Sequence, residues 1–405
     1  MFHAYRQLFT LPGTAAFALA GLLARLPLSM TGIGLITMLS QQRGAYTLAG
    51  VVSACFALSI ALFAPRISAL VDRYGQRRVL PWAAALSACS MFALLACAHW
   101  HGPDWLLLVL AALVGALPSM SAMVRARWTV LLRGTPQLQT AYAFEAVLDD
   151  LCFIVGPPLS VGLSMVLFPE AGPVTAALLL IVGVGLFVAQ RRTEPPVDAS
   201  QQHQRHRSLA FHPVVRTLAL FMLAQGIIVG TIDVASVAFA TAQGQPAAAS
   251  IVLSFYALGS CLMGLFFGTL RIKAPLSTQI HWVGASVCIT AIPLIMAGNL
   301  TGLTLAVLLA GITFGPTITV AMSLVEQQVA PNRLTEGMTW LLTGLAMGVA
   351  LGAAAAGWAT DHWGARTSFV VALAAGALMW ALGLQASRLA RRSEDHHAAA
   401  AQGCS

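Results

Sequence analysis

The segment Ser68-Ala-Leu-Val-Asp-Arg-Tyr-Gly-Gln-Arg-Arg-Val-Leu80 is a short basic turn wedged between two long apolar runs, residues 49–70 and 79–98. A helix that crosses a bilayer needs about 20 mostly apolar residues, and both neighbours qualify. The turn therefore sits at a membrane face. Its arginines say which face, because cytoplasmic loops carry the excess of Arg and Lys.

Composition agrees. The chain has 405 residues, 58% hydrophobic and 9% charged, with a mean hydropathy of +0.80. Soluble domains carry about 25% charged residues, so this chain cannot cover a water-facing surface of its size. The net charge of +8 lies in short loops between apolar runs. That is a pattern of topology determinants and not of a phosphate-binding face, so no nucleic-acid partner is expected. The cysteines show no metal-ligand spacing and, Cys404 apart, lie inside apolar runs as small core residues.

Apolar runs of spanning length cover residues 14–39, 49–70, 79–98, 105–124, 142–168 and 174–189. A polar stretch follows at 190–213, then runs at 214–240, 247–270, 280–298, 303–325, 337–359 and 368–385. The expected domains are thus a six-helix bundle over 1–189, a cytoplasmic linker over 190–213, a second bundle over 214–387 and an unstructured tail over 388–405. With both termini inside, all loop arginines except Arg43 and Arg366, together with Lys273, fall on the cytoplasmic side. The histidines of the linker (His203, His206, His212) and of the tail (His396, His397) read as solvated residues of loose segments, not as a metal site. A shift of 195 residues lays Pro136 on Pro331, Thr140 on Thr335 and Gly162 on Gly357. Two related halves would place a binding site at their interface.

The opening segment also carries a family likeness. Leu70, Asp72, Arg73, Gly75, Arg77 and Leu80 resemble the loop between helices 2 and 3 of major facilitator superfamily transporters, with Ser68 and Gln76 departing from the pattern. The resemblance implies an all-α integral membrane protein of two six-helix bundles related by a pseudo-two-fold axis, both termini cytoplasmic. It also implies a latch made by Asp72, Arg73, Gly75 and Arg77, with Asp72 facing the helix that starts near Gly337 and Arg77 paired with an acid such as Glu145. In helix 5, Gly156, Pro157 and Gly162 resemble the glycine–proline signature of exporters in this superfamily, which implies antiport. A packing kink is the alternative reading of the same residues. Helix 4 carries its arginines, Arg125 and Arg127, only at its cytoplasmic end, whereas many antiporters of the family place one at mid-helix.

Charges within spans usually have a partner or a task. Arg25 lies near the middle of the first span and is expected to face a cavity. Glu145, Asp149 and Asp150 open helix 5, with Asp149 placed to pair with Arg25. Two readings stand for these acids, coupling or the inner boundary of the helix, and the same two stand for Asp233 in helix 7. A membrane enzyme would need a catalytic cluster, and His99, His101 and Asp104 are the nearest candidate. A solvated loop explains them better.

The function expected is secondary active transport by alternating access: proton-coupled efflux of a small organic compound by a monomer in the cytoplasmic membrane. No cofactor or metal is expected. Import of a sugar, organic acid or nucleoside is the alternative.

Overall fold

The computed structural model describes residues 2–43, 46–197, 208–245, 248–270, 272 and 274–402. Expectations for Arg205, Arg207, His203, His206, Arg271 and Lys273 fall outside them. The described residues are helical and contain no strand. In chain order the helices are α1 (Phe2–Leu8), α2 (Thr14–Arg43), α3 (Tyr46–Tyr74), α4 (Gln76–His99), α5 (Asp104–Val114), α6 (Met120–Leu132), α7 (Gln137–Val166) and α8 (Ala171–Ala189). After the linker come α9 (Pro213–Ala242), α10 (Ala248–Phe267), α11 (Leu276–Met296), α12 (Leu300–Gln328), α13 (Leu334–Trp363) and α14 (Val370–Gln402). Ten of these are long and apolar enough to cross a membrane, and two further apolar helices are shorter.

Two sequence expectations are corrected. The span 105–124 is not one helix: it breaks between α5 and α6. Pro118 has no N–H to donate and pushes Leu117 out of the helical region, so residues 116–119 leave the helix. Irregular backbone in a span must find partners elsewhere, and the Ser87 hydroxyl donates to the Val114 carbonyl at 2.7 Å. The tail is the second correction. Helix α14 runs on to Gln402, because the alanines at 398–401 favour helix more strongly than any other residue type.

The chain forms two compact units. One holds Phe2–Gly134 and Leu148–Gln204, the other Thr135–Val147 and Arg205–Ser405. The start of α7 groups with the second unit, where the Thr140 hydroxyl donates to the Gly268 carbonyl at 2.5 Å.

Within the second unit, α9 and α13 are zipped by glycines. A side chain at Gly226 or Gly230 would strike the backbone of α13 at Leu345 or Val349. One at Gly344, Gly348 or Gly352 would strike the carbonyls of Ala219, Leu223 or Ile227 on α9. Small residues repeating every fourth position let helix backbones touch where no hydrophobic force separates helix from lipid. Within the first unit, the crossing of α2 and α7 uses Gly156 in the same way, against Ser29.

Candidate functional site

The first unit concentrates its buried charge where α2, α6 and α7 meet. On α7, Asp149, Cys152 and Gly156 follow the i, i+3, i+7 stripe of one helix face. On α2, Arg25 and Ser29 do the same at i, i+4. The two stripes run along one another: the Ser29 hydroxyl donates to the Cys152 carbonyl at 2.8 Å, and Gly156 leaves room for Ser29. That crossing brings Arg25 Nη1 to 2.9 Å from Asp149 Oδ1.

The third partner comes from the resumed helix. After the break, α6 sets Ser121 and Arg125 one turn apart on the face toward Asp149. Arg125 Nη2 donates to Asp149 Oδ2 at 2.8 Å, and the Ser121 hydroxyl donates to Oδ1 at 2.5 Å. Each guanidinium is also tied to its own helix, Arg25 Nε to the Gly21 carbonyl at 3.2 Å and Arg125 Nη1 to the Ser121 carbonyl at 3.3 Å. The side chains of Arg25 and Arg125 are 3% and 0% exposed, and that of Asp149 is 16% exposed. Two cations thus share one carboxylate inside the bundle.

Arg25 and Asp149 come together as the sequence suggests; Ser121 and Arg125 were missed. Their signal was present in Gly115 and Pro118, which mark the break that turns Arg125 inward. Asp150 lies one step round α7 and is half-buried. Glu145 belongs to the second unit and is fully buried. Asp233, also in that unit, is exposed on α9. Trp128 packs edge-on against Phe17, ring centroids 4.8 Å apart, with no exposed surface.

The loop between α3 and α4 is built around Gly75, whose φ of 90° suits glycine. Its N–H closes α3 on the Val71 carbonyl at 2.7 Å. Asp72 is half-buried, and Arg73 and Arg77 are exposed. The Arg73 guanidinium lies 5.1 Å above the Tyr74 ring. The first turn of α4 has unpaired N–H groups, and Glu194 of the linker accepts from the Arg77 N–H at 2.8 Å. Beneath this turn, Arg127 is buried. Its Nε donates to Gln76 Oε1 at 2.8 Å, its Nη1 to the Gln190 carbonyl at 3.1 Å and to Thr193 Oγ1 at 3.0 Å. The guanidinium lies 3.7 Å over the Phe187 ring. Burial lowers its pKa to about 10, with Glu194 acting in the opposite direction. In the second unit, Glu336 holds the other end of the linker by accepting from the Leu209 N–H at 2.8 Å.

On the other side of the first unit, His99 Nδ1 lies 3.0 Å from Glu170 and Arg43 pairs with Asp104 at 3.0 Å. Among the described residues, no three His, Cys, Asp or Glu side chains form a group that could hold a metal ion.

The family model for the Major Facilitator Superfamily matches residues 17–270 and 217–402. The chain belongs to the Major Facilitator Superfamily. It is a multi-pass membrane transporter and not an enzyme. No curated protein matches it. Solved structures of superfamily folds do. A bacterial homologue of the iron transporter ferroportin, in its outward-facing state, aligns at TM-score 0.73 with 15% identity over 93% of this chain and 100% of that one. The human organic anion transporter MFSD10 aligns at 0.69 with 15% identity over 91% and 98%. A variant of the Escherichia coli fucose:proton symporter FucP aligns at 0.65 with 15% identity over 92% and 98%. At these identities the likeness is one of superfamily fold.

Proposed function

We propose that this transporter moves a small organic compound by alternating access, coupled to protons, in the efflux direction. It acts as a monomer with both termini cytoplasmic in the cytoplasmic membrane. The observation that carries the coupling is the shared carboxylate of Asp149. A buried acid whose partners are two cations on different helices can exchange partners as the helices move. An acid that exchanges partners can take and release a proton. Asp150, Glu145 and Asp233 complete the proposed set of coupling acids, and Asp72, Arg73, Gly75 and Arg77 the proposed latch. Efflux rests on the resemblance of Gly156, Pro157 and Gly162 to the exporter signature.

A second reading, uptake of an organic acid, is supported by the two buried guanidiniums gathered at Asp149, whose planar N–H groups suit a carboxylate. Among the similar folds, one solved structure is described as an organic anion transporter and another as a proton symporter.

The test is a screen of reconstituted proteoliposomes for proton flux induced by candidate compounds, in right-side-out and inside-out orientations. Flux that Asp149→Asn abolishes supports the coupling role. Wild-type flux in that variant across the pH range removes Asp149 from the mechanism, and accumulation in right-side-out vesicles replaces efflux by uptake.

A further inference from the structure

We infer that the cleft between the α3–α4 turn and residues 191–197 of the linker holds the phosphate of an anionic phospholipid headgroup. The inference goes beyond the transport reading and does not depend on the direction of transport or on the coupled ion.

The cleft belongs wholly to the first unit. It encloses about 380 Å³, within the range of about 300–1,000 Å³ usual for small-ligand sites. Three arginines line it, Arg77 and Arg78 from the first turn of α4 and Arg191 from the linker, with one acid, Glu194. Among the described residues, no hydrogen bond or ion pair holds any of these three guanidiniums. Glu194 is already engaged: it accepts from the Arg77 backbone N–H, and its charge acts on the buried Arg127. The cleft therefore presents guanidinium donors to spare.

Planar forks of this kind suit the tetrahedral oxygens of a phosphate, two at a time. Helix α4 starts at the cleft, so the positive end of its dipole adds to the attraction. Gly75 makes the cleft narrow enough to use. A side chain there would lie 3.2 Å from both Glu194 Oε1 and Val197 Cγ2, so the glycine lets the linker close on the turn.

Two helix faces point to a lipid as the source of that phosphate. On α4, Arg78, Trp82 and Leu86 follow one another at every fourth position, and Trp82 is 79% exposed. On α3, Leu70 and Tyr74 have the same spacing, both are exposed, and Tyr74 lines the cleft. Trp82 stands about 6 Å along the helix from Arg78. Exposed Trp and Tyr rings settle at the headgroup level of a bilayer, which puts the cleft at that depth. The apolar rows leading away from it suit acyl chains. A phosphodiester with no cationic group, as in phosphatidylglycerol, matches the arginines. Bound there, it ties Arg191 to Arg78 and fixes the first turn of the linker on the α3–α4 turn.

The test titrates short-chain phosphatidylglycerol into the full-length protein in neutral detergent, with phosphatidylcholine and inorganic phosphate as comparisons. Binding is read from melting temperature and from the rate of tryptic cleavage at Arg191. Phosphatidylglycerol is expected to bind saturably, about tenfold more tightly than phosphatidylcholine, and to slow the cleavage severalfold. Arg78→Gln and Arg191→Gln should each weaken it about fivefold. The Arg78→Lys and Arg191→Lys variants, which keep charge without the fork, should lie between. Arg216→Gln, an exposed arginine of the second unit, should change nothing. Trp82→Ala should weaken the lipid and leave inorganic phosphate unaffected. Equal binding of the two lipids, or binding equal in wild type and both glutamine variants, overturns the inference. Inorganic phosphate that binds as tightly as phosphatidylglycerol overturns the lipid and assigns the cleft to a soluble phosphate compound.

Discussion

Arg125 reaches Asp149 at 2.8 Å from α6, the helix that resumes after the break at residues 116–119. Of the two, the arginine is the dispensable one for charge balance. Arg125→Gln leaves the Arg25–Asp149 ion pair in place and costs the lost hydrogen bonds, about 1–3 kcal/mol. Asp149→Asn takes a carboxylate from two buried guanidiniums at once and costs about 3–5 kcal/mol. Thermal unfolding of both purified variants in an anion-poor buffer should therefore rank Asp149→Asn as the less stable. The opposite order would mean that the cluster's charge is balanced elsewhere.

The glycines of the exporter-like signature should behave unequally. Gly156→Val forces a side chain into Ser29, separates α2 from α7 and breaks the reach of Arg25 to Asp149. Folded yield and transport should both fall by about tenfold, as overpacked helix contacts usually cost about 1–3 kcal/mol. Gly162 has nothing within 4 Å, so Gly162→Ala should be silent or stabilising by about 0.5–1 kcal/mol. Expression and thermal melts of the two variants decide the matter, and a Gly162→Ala defect equal to that of Gly156→Val would contradict it.

Arg127 holds the linker's first turn to the loop that begins at Gly75. Arg127→Leu keeps the packing on Phe187 and removes the bonds to Gln76, Gln190 and Thr193. The expected loss is about 2–4 kcal/mol, since Gln76 is left buried without its partner. Limited trypsin digestion should cut at Arg191 and Arg192 severalfold faster, on the logic that local unfolding exposes the site. Unchanged cleavage would show that Glu194 alone anchors the segment.

His212, at the start of α9, gives a pH test. Burial, and secondly the charge of Arg333, hold its imidazole below the ordinary 6.5. A lowered folded-state pKa means that the neutral ring fits best. Well above pH 6.5 the residue is neutral whether folded or unfolded and adds no slope. As pH falls further the unfolded chain takes the proton first, so stability declines. A single proton limits the slope to about 1.4 kcal/mol per pH unit, and solvent screening of a half-buried ring keeps it lower. His212→Gln should flatten that decline as pH falls through 6.5 and below, as read from melting temperatures. A slope unchanged by the substitution would assign the acid sensitivity to other groups.

Much of this was legible in the sequence, for reasons that differ by feature. Spanning runs and the Gly75 turn could be read because length, apolarity and positive φ are local demands. The pairing of Arg25 with Asp149 could be read because a lone charge in a span needs a partner. Arg125 could not, because hydropathy averages over residues 115–119 and hides the break. Without the break, the helical register gives no reason to turn Arg125 inward. The glycine zipper of α9 and α13 was hidden for another reason: glycines at fourth positions reveal a close approach only once the partner helix is known. Glu194 as the cap of α4 joins residues 117 apart, a distance no local pattern spans.

Arg43 and Arg366, the two arginines that the loop-charge rule leaves on the minority side, share an unexpected job. Arg43 donates to the carbonyls of Gly102 and Cys97 at the end of α4, and Arg366 to those of Ile295 and Met296 at the end of α11. Each sits beside the last carbonyls of a helix, at the negative end of its dipole. The 195-residue shift maps Arg43 onto Ala238 and Arg366 onto Ala171, so neither has a twin in the other half. The apparent exceptions to the topology rule are therefore folding clasps, one from the last residue of α2 and one from the turn after α13. Their charges report on helix ends that need closing and carry no address for the membrane.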